Sequence, residues 1–282
     1  RPKFDKLFRQ ILKENAIAFP AAGSVYDYVY DIEQGKWIHW LKSVPDFKLD
    51  PKLKFTEITI PTKDSIRYTY LIKHLASQLK HVICIGPTGT GKTVNIRNLL
   101  MSGMPKEFIP LFITFSAQTS ANQTQDLIDS KLSKRRKGIY APDPGKKYAI
   151  YIDDVNMPQR EEYGAQPPIE LIRQWLDHSG WYDRKAIGLP FRKVIDIGFV
   201  GAMGPPGGGR NPVTDRFLRH FNFIAFPEMQ DESLKHIFGT ILRTFIKSKF
   251  ADAVQVMVDP TVEASINVYN EICKNMLPTP SR

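Results

Sequence analysis

The sequence predicts an α/β fold: a parallel sheet flanked by helices, interrupted by hairpin insertions and followed by a partial helical lid. Three observations carry this expectation. Apolar runs of strand length recur at residues 82–85, 108–115, 148–152, 194–203 and 223–226, with apolar residues at helical spacing between them. The first run breaks into Gly86-Pro87-Thr88-Gly89-Thr90-Gly91-Lys92-Thr93. The run at 148–152 ends on the paired acids Asp153 and Asp154.

Gly86-x-x-x-x-Gly91-Lys92-Thr93 is the Walker A pattern, and each position has a physical task. Gly86, Gly89 and Gly91 let the backbone turn so that successive N–H groups face one concavity, completed by Pro87, Thr88 and Thr90. Lys92 supplies a point charge to the outer phosphates of a nucleotide such as ATP or ADP. Thr93 offers its hydroxyl to Mg²⁺ and opens a helix over residues 93–100. Asp153 fits the Walker B acid that helps hold Mg²⁺ beside Thr93, and Asp154 would orient and polarise the attacking water. The spacing of the two motifs predicts that their strands are parallel neighbours.

Composition bounds the rest. With 282 residues, 42% of them hydrophobic and 24% charged, the chain falls in the ordinary globular range, so one large core plus an attachment is expected. Cys84 and Cys273 offer neither a disulfide framework nor metal-ligand spacing and suit a reducing compartment. No apolar run reaches the length of a membrane span, and no signal-peptide pattern opens the chain, which starts at Arg1 and reads as a piece of something longer. The net charge of +10 is scattered except at residues 131–137 and is not interleaved with stacking aromatics. That argues for an acidic partner and leaves a nucleic-acid-directed P-loop ATPase only as a minor alternative.

In chain order, Phe4, Leu7, Phe8, Ile11 and Leu12 predict a helix that stops at Pro20-Ala21-Ala22-Gly23. The aromatic-rich stretch 24–41 predicts a hairpin turning at Gln34-Gly35, with its rings packed on the body. Residues 45–62 read as extended and Pro-punctuated. A helix follows, capped by Asp64 or Ser65 and carrying Ile66, Leu71 and Leu75. Ile60, Pro61 and Thr62, just ahead of it, are candidates for an apolar wall beside the adenine. Downstream, 123–132 predicts a helix, 134–147 a protruding hairpin, 167–180 a helix started by Pro167-Pro168, and 181–193 a second hairpin. The glycine-rich loop 204–210 should emerge at the carboxyl edge of the sheet, where ligands bind in open α/β folds. Two amphipathic helices, 233–249 and 261–276, begin a lid. Residues 1–50 are expected to be a connecting segment, 51–228 the large nucleotide-binding subdomain and 229–282 the truncated small subdomain.

This order of elements is that of an AAA+ ATPase module, and the wording of several segments is narrower. Ile152-Asp153-Asp154-Val155-Asn156-Met157-Pro158, Tyr163-Gly164-Ala165-Gln166-Pro167-Pro168, Arg173-Gln174-Trp175-Leu176-Asp177-His178 and Asp215-Arg216-Phe217-Leu218-Arg219-His220-Phe221 resemble the third AAA+ module of axonemal dynein heavy chains. The resemblance covers about residues 20–282. It implies one segment of a six-module, ATP-driven ring that moves along microtubules in cilia, with this module regulatory rather than the main site of hydrolysis. It also implies partners in the adjacent modules of the same heavy chain, microtubule contact only through the whole motor, no membrane, and a cytoplasmic place on the axonemal cytoskeleton. Arg219, with Arg216 as the second candidate, would be the arginine finger that reaches the nucleotide of an adjacent module. The chain departs from the pattern in three ways. Asp154 stands where many relatives have Glu, one methylene shorter, and a misplacement of about 1 Å can cost roughly 10²-fold in rate. The polar sensor position falls near Gly204, with Asn211 an open candidate for compensation. The chain ends before the second sensor arginine of the lid. A slow ATPase and a structural module that holds nucleotide without turnover both remain open.

Overall fold

The computed structural model of the chain describes residues 1–43 and 58–276. In order the elements are α1 (Pro2–Glu14), β1 (Tyr28–Asp31), β2 (Lys36–His39), α2 (Lys63–Ser77), β3 (Val82–Ile85), α3 (Lys92–Asn98), β4 (Phe108–Thr114), α4 (Ala121–Asp129), β5 (Ser133–Arg136) and β6 (Ile139–Ala141). There follow β7 (Lys147–Asp153), α5 (Pro167–His178), β8 (Gly180–Tyr182), β9 (Phe191–Val194), β10 (Ile197–Met203), α6 (Asp215–Leu218), β11 (Asn222–Ala225), α7 (Asp231–Lys249) and α8 (Val258–Asn275). They form two compact units, one of Arg1–Arg67 with Gln230–Lys274 and one built on Tyr68–Met229.

In the first unit, α1 is tied to the chain that follows it by Arg9, whose guanidinium donates to the carbonyls of Pro20 and Gly23 at 2.8 Å each and to Asp5 at 3.1 Å. Phe8, Phe19 and Trp37 meet edge to face, with Phe19 and Trp37 centroids 4.9 Å apart, so the antiparallel β1–β2 hairpin packs by its rings as expected. The Asp27 carboxyl accepts from the Ser24 backbone and hydroxyl and from Lys63, and these donors pull its pKa down to about 2 against the cost of burial. The cap of α2 lies earlier than the sequence reading placed it. The Thr62 hydroxyl accepts from the Ser65 N–H at 3.1 Å and the Ser65 hydroxyl from the Thr62 N–H at 2.8 Å, two orphan donors satisfied reciprocally. In the same unit, α7 and α8 bury Ile246, Val258, Val262 and Ile266 against Leu234, Leu242 and Val254, the core of the expected pair of lid helices. The expected extended run over 45–57 and the end of the lid at 277–282 lie outside the described residues.

The second unit is a five-stranded parallel sheet in the order β11-β3-β10-β7-β4. Its strands read as continuous apolar runs because both faces are covered. Val82, Cys84, Tyr151, Val200 and Ala202 face α2 and α3, where Ile72, Ile96 and Leu99 meet them. Ile83, Ile150, Ile152 and Phe199 face α4, α5 and α6, through Ile128, Ile172, Trp175 and Phe217. The Cys84 thiol, sealed in that core, is pushed up to about 12 by burial, which makes it a structural cysteine. One expectation is corrected: β3 and β7 are parallel but not neighbours, because β10, buried at all seven positions, lies between them. The sheet grows by pairing β10 with both, a choice that strand spacing in the sequence does not encode.

The two predicted hairpins, β5–β6 and β8–β9, form one four-stranded sheet through parallel pairing of β6 with β9. Asp129 on α4 anchors it, accepting from the Trp181 indole at 3.0 Å and from Arg192 at 3.3 Å. Burial raises the Asp129 carboxyl pKa, and those two donors oppose the shift. Lys134, Arg136 and Lys137 at its rim are exposed.

His81, just before β3, accepts the Phe199 N–H on Nδ1 at 3.2 Å and sits among Trp175, Phe199 and Phe221. Burial first, then the nearby charges of His220 and Lys80, lower its pKa to about 4. The unfolded chain, whose histidine titrates near 6.5, therefore takes the proton first as pH falls. The stabilisation is complete above pH 6.5 and is lost progressively down to pH 4, by about 3 kcal/mol. Urea unfolding across that window should show a shallower pH dependence for His81→Gln than for the native chain; identical slopes would mean that His81 is not the titrating group.

Candidate phosphate-binding site

At the end of β3 the chain turns against its neighbour. A Cβ on Gly86 would lie 2.1 Å from the Phe226 carbonyl oxygen, so only glycine lets the loop leave the sheet here. The Phe226 N–H donates to Ile85 O at 2.7 Å and the Gly86 N–H to Met203 O at 3.2 Å, fastening the loop's root to two strands. Gly89 and Gly91 take φ of +81° and +76°, and Gly91 is the residue from which α3 starts. Within the turn, the Thr90 hydroxyl donates to Pro87 O at 3.0 Å.

Lys92 bends back over this loop. Its ammonium donates to Gly86 O at 2.8 Å and Pro87 O at 2.5 Å, and it has no carboxylate within ion-pair distance among the described residues. Burial lowers its pKa, the Arg210 charge adds to that, and Asp153 and Asp154 oppose it. The ammonium also donates to the Thr90 hydroxyl at 3.3 Å, and a cation satisfied only by neutral oxygens is disposed to take an anion.

Thr93 and Asp153 come together from α3 and β7, the hydroxyl donating to Asp153 Oδ2 at 2.9 Å. Asp153 Oδ1 accepts the Asp154 N–H at 3.1 Å. A hydroxyl and a carboxylate side by side are hard oxygen donors of the kind Mg²⁺ takes, and Mg²⁺ ordinarily keeps waters and phosphate oxygens for its other places. The donor set and the loop's open glycine turns therefore fit a polyphosphate with Mg²⁺.

Asp154 sits at φ +51°, in the left-handed region that Asp and Asn tolerate better than longer side chains. Its carboxylate lies 3.7 Å from the Arg210 guanidinium. Arg210 fills the place above Gly204, where a Cβ would meet its Nε, Cδ and Cζ at 2.7, 2.8 and 2.9 Å. Asn211 does not compensate for Gly204: its amide donates to Pro158 O at 3.0 Å and its N–H to Asn156 O at 2.9 Å, while Asn156 holds Gly204 O at 2.8 Å. Arg210 is the site residue that sequence reasoning missed. The glycine-rich loop 204–210 was placed at the right edge of the sheet, but nothing in its spacing told which side chain would turn inward.

Arg219 and Arg216 are brought to α5 rather than to the loop. Arg219 donates to Asp177 at 2.7 Å, Arg216 lies 3.6 Å from Glu170, and Arg173 bridges both acids at 2.6 and 2.7 Å. His220 adds a contact of 3.0 Å to Asp177, whose carboxyl pKa is lowered, chiefly by the bond from Arg219. Both arginines stay about 60% exposed, at 60% for Arg216 and 62% for Arg219. Ile60, Pro61 and Thr62 belong to the first unit, with Ile60 buried and Thr62 engaged in the α2 cap.

A five-stranded parallel sheet with a glycine loop after one strand, and an acid from a second strand against the threonine that follows the loop, defines a P-loop module. Residues 47–229 match the family model described as the P-loop containing dynein motor region, and residues 1–42 match that of the dynein heavy chain AAA lid domain. The chain is 45% identical over 96% of its length to dynein axonemal heavy chain 1 of Mus musculus, covering 7% of that protein. It is 44% identical over 94% to dynein axonemal heavy chain 12 of Mus musculus, covering 9% of it, and 40% identical over its full length to dynein axonemal heavy chain 3 of Homo sapiens, covering 7%. The chain belongs to the axonemal dynein heavy chain family, as an AAA+ part of the motor region.

The approach of Gly86 to Phe226 makes a direct demand on stability. Gly86→Ala should destabilise the chain by about 3 kcal/mol or more, the upper range for overpacking, because backbone rather than a mobile side chain must move. A urea midpoint equal to that of the native chain would contradict this.

Proposed function

We propose that this chain is a nucleotide-binding AAA+ module, the third of a dynein motor ring, that binds ATP or ADP with Mg²⁺ and hydrolyses ATP slowly to regulate microtubule-based ciliary motility. The observation that carries the reading is the Thr93–Asp153 pair at 2.9 Å next to a lysine whose hydrogen-bond partners are neutral oxygens of its own loop. Residues 86–93 hold the phosphates, with Thr93 and Asp153 serving the metal. When bound, Mg²⁺ supplies charge neutralisation at the outer phosphates. Lys92 contributes a positive charge on the other side, and Asp154 accepts a proton from, and orients, a water at the reacting end. Arg219 serves an adjacent module in trans and stays anchored to Asp177 when no neighbour engages it.

The division proposed for the chain is a large subdomain over 51–228, a lid beginning at 229, and an N-terminal segment over 1–50. The match of residues 1–42 to a lid model supports assigning that segment to the module that precedes this one. In the intact heavy chain the partners are the adjacent modules, with microtubules reached only through the whole motor on the axonemal cytoskeleton. A second reading, a module that holds nucleotide without turnover, is favoured by one observation: the short acid Asp154 lies against Arg210.

Two outcomes test these readings. Calorimetry on the purified chain should give binding heat with Mg-ATP and with Mg-ADP, abolished in Lys92→Ala, and no heat from the native chain with either would remove the proposal. Turnover by the purified chain should be negligible, since a finger supplied by a neighbour contributes about 10³ to 10⁵ in rate in related enzymes. In the full-length heavy chain, Asp154→Asn keeps the side-chain shape that the left-handed backbone accepts. Single-turnover hydrolysis at this module should then fall by about 10²-fold or more. An unchanged rate would remove Asp154 from that role, and no hydrolysis at this module in the native heavy chain would establish the non-hydrolysing reading instead.

A further inference from the structure

Arg210 is the one strongly charged group at the site to which the nucleotide reading assigns no task. Its seat exists because residue 204 is glycine: any Cβ there would lie within 2.9 Å of Nε, Cδ and Cζ of the arginine. The guanidinium thus stands at the carboxyl end of β10, the strand between β3 and β7, over the position where the side chain of residue 204 would otherwise project. It is held there loosely. Its contact with Asp154 is 3.7 Å, an ion pair without the two short parallel bonds that arginine and carboxylate can form. Its Nε is buried and has no hydrogen-bond partner among the described residues. A planar fork with an unused donor, held by a single long contact to a carboxylate, matches phosphate oxygens.

Resting on the nucleotide reading above, we propose that Arg210 is the residue that distinguishes ATP from ADP at this site, its guanidinium moving from Asp154 to the terminal phosphate. The glycine at 204 is then a substitution of means rather than a loss. The polar group that reads the outer phosphate comes from six residues downstream, and it is charged. Asp154 changes partner in the same event: while Arg210 leans on it, its carboxylate is engaged by a cation, and when Arg210 turns to phosphate it is released to act on water. The device couples recognition of the terminal phosphate to availability of the acid.

The test uses the full-length heavy chain, labelled with 8-azido-ATP or 8-azido-ADP over a range of concentrations. Mass spectrometry locates the labelled peptides, so that only label within this module is counted. Arg210→Ala should weaken apparent ATP affinity by about tenfold to hundredfold, the value of a charge-assisted hydrogen bond, and change ADP affinity by less than about twofold. Arg210→Lys, which keeps a point charge and loses the fork, should fall between. Gly204→Ala puts a Cβ where the guanidinium sits while removing no side-chain group, and it should show the same selective loss, which keeps the test decisive if the first variant is unstable. Equal changes for ATP and ADP, or none, in Arg210→Ala or Gly204→Ala overturn the inference. Absence of label in the native module with both nucleotides overturns the nucleotide reading itself.

Discussion

The hydrogen bond between Thr93, on the helix that follows β3, and Asp153, at the end of β7, spans two strands that are not adjacent, and the rest of the site depends on how that span is bridged. Neighbouring strands stand about 4.8 Å apart, so β3 and β7 are separated by roughly twice that across β10. A short threonine and a short aspartate close the gap because Thr93 stands on α3 rather than on β3 itself. On the face shared by Cys84 and Tyr151, β10 contributes Val200 and Ala202. Ala202, paired with Cys84, presents only a methyl group near the top of that face. β10 is buried at every position and is the strand that separates the two motifs.

Charge at this edge of the sheet is arranged in partly satisfied pairs. Lys92 rests on the carbonyls of its own loop, Arg210 rests on Asp154 at long range, and Thr93 rests on Asp153. Of the three, only Lys92 has neutral oxygens as its sole hydrogen-bond partners, and such bonds are weaker than charge-assisted ones. The acids and arginines of α5 and α6 follow the opposite logic. Arg173, Glu170, Asp177 and Arg219 form short, mutually reinforcing bonds, so Arg219 is presented in a defined place at the surface rather than left to wander.

The two hairpin insertions show how a tertiary contact converts loose segments into structure. A two-stranded hairpin is marginal in water on its own, and neither β5–β6 nor β8–β9 has the length to be an exception. Parallel pairing of β6 with β9, with the buried Trp181 and Asp129 beneath, makes them one sheet fixed to α4. Tyr182 and Phe191, in edge contact at 5.3 Å, remain on its outer side.

How much of this was legible in the chain depends on the range of the interaction involved. Residues 86–93, the strand runs, the acids at 153 and 154 and both hairpins were readable because backbone conformation, glycine placement and apolar periodicity are local properties. The family followed from short segments such as those around Asp153 and Arg219, and the comparisons agree. The strand order was not readable, since any of several parallel arrangements satisfies the same apolar runs, and the packing of α-helices on both faces selected the one with β10 in the middle. Nor was Arg210: whether an arginine in a glycine-rich loop faces water or a site turns on the empty volume above Gly204 and the carboxylate of Asp154, groups brought together only when β7 and β10 lie side by side. Sequence by itself determined which chemical groups are available and the local backbone that carries them, whereas the folded sheet decided which of those groups meet.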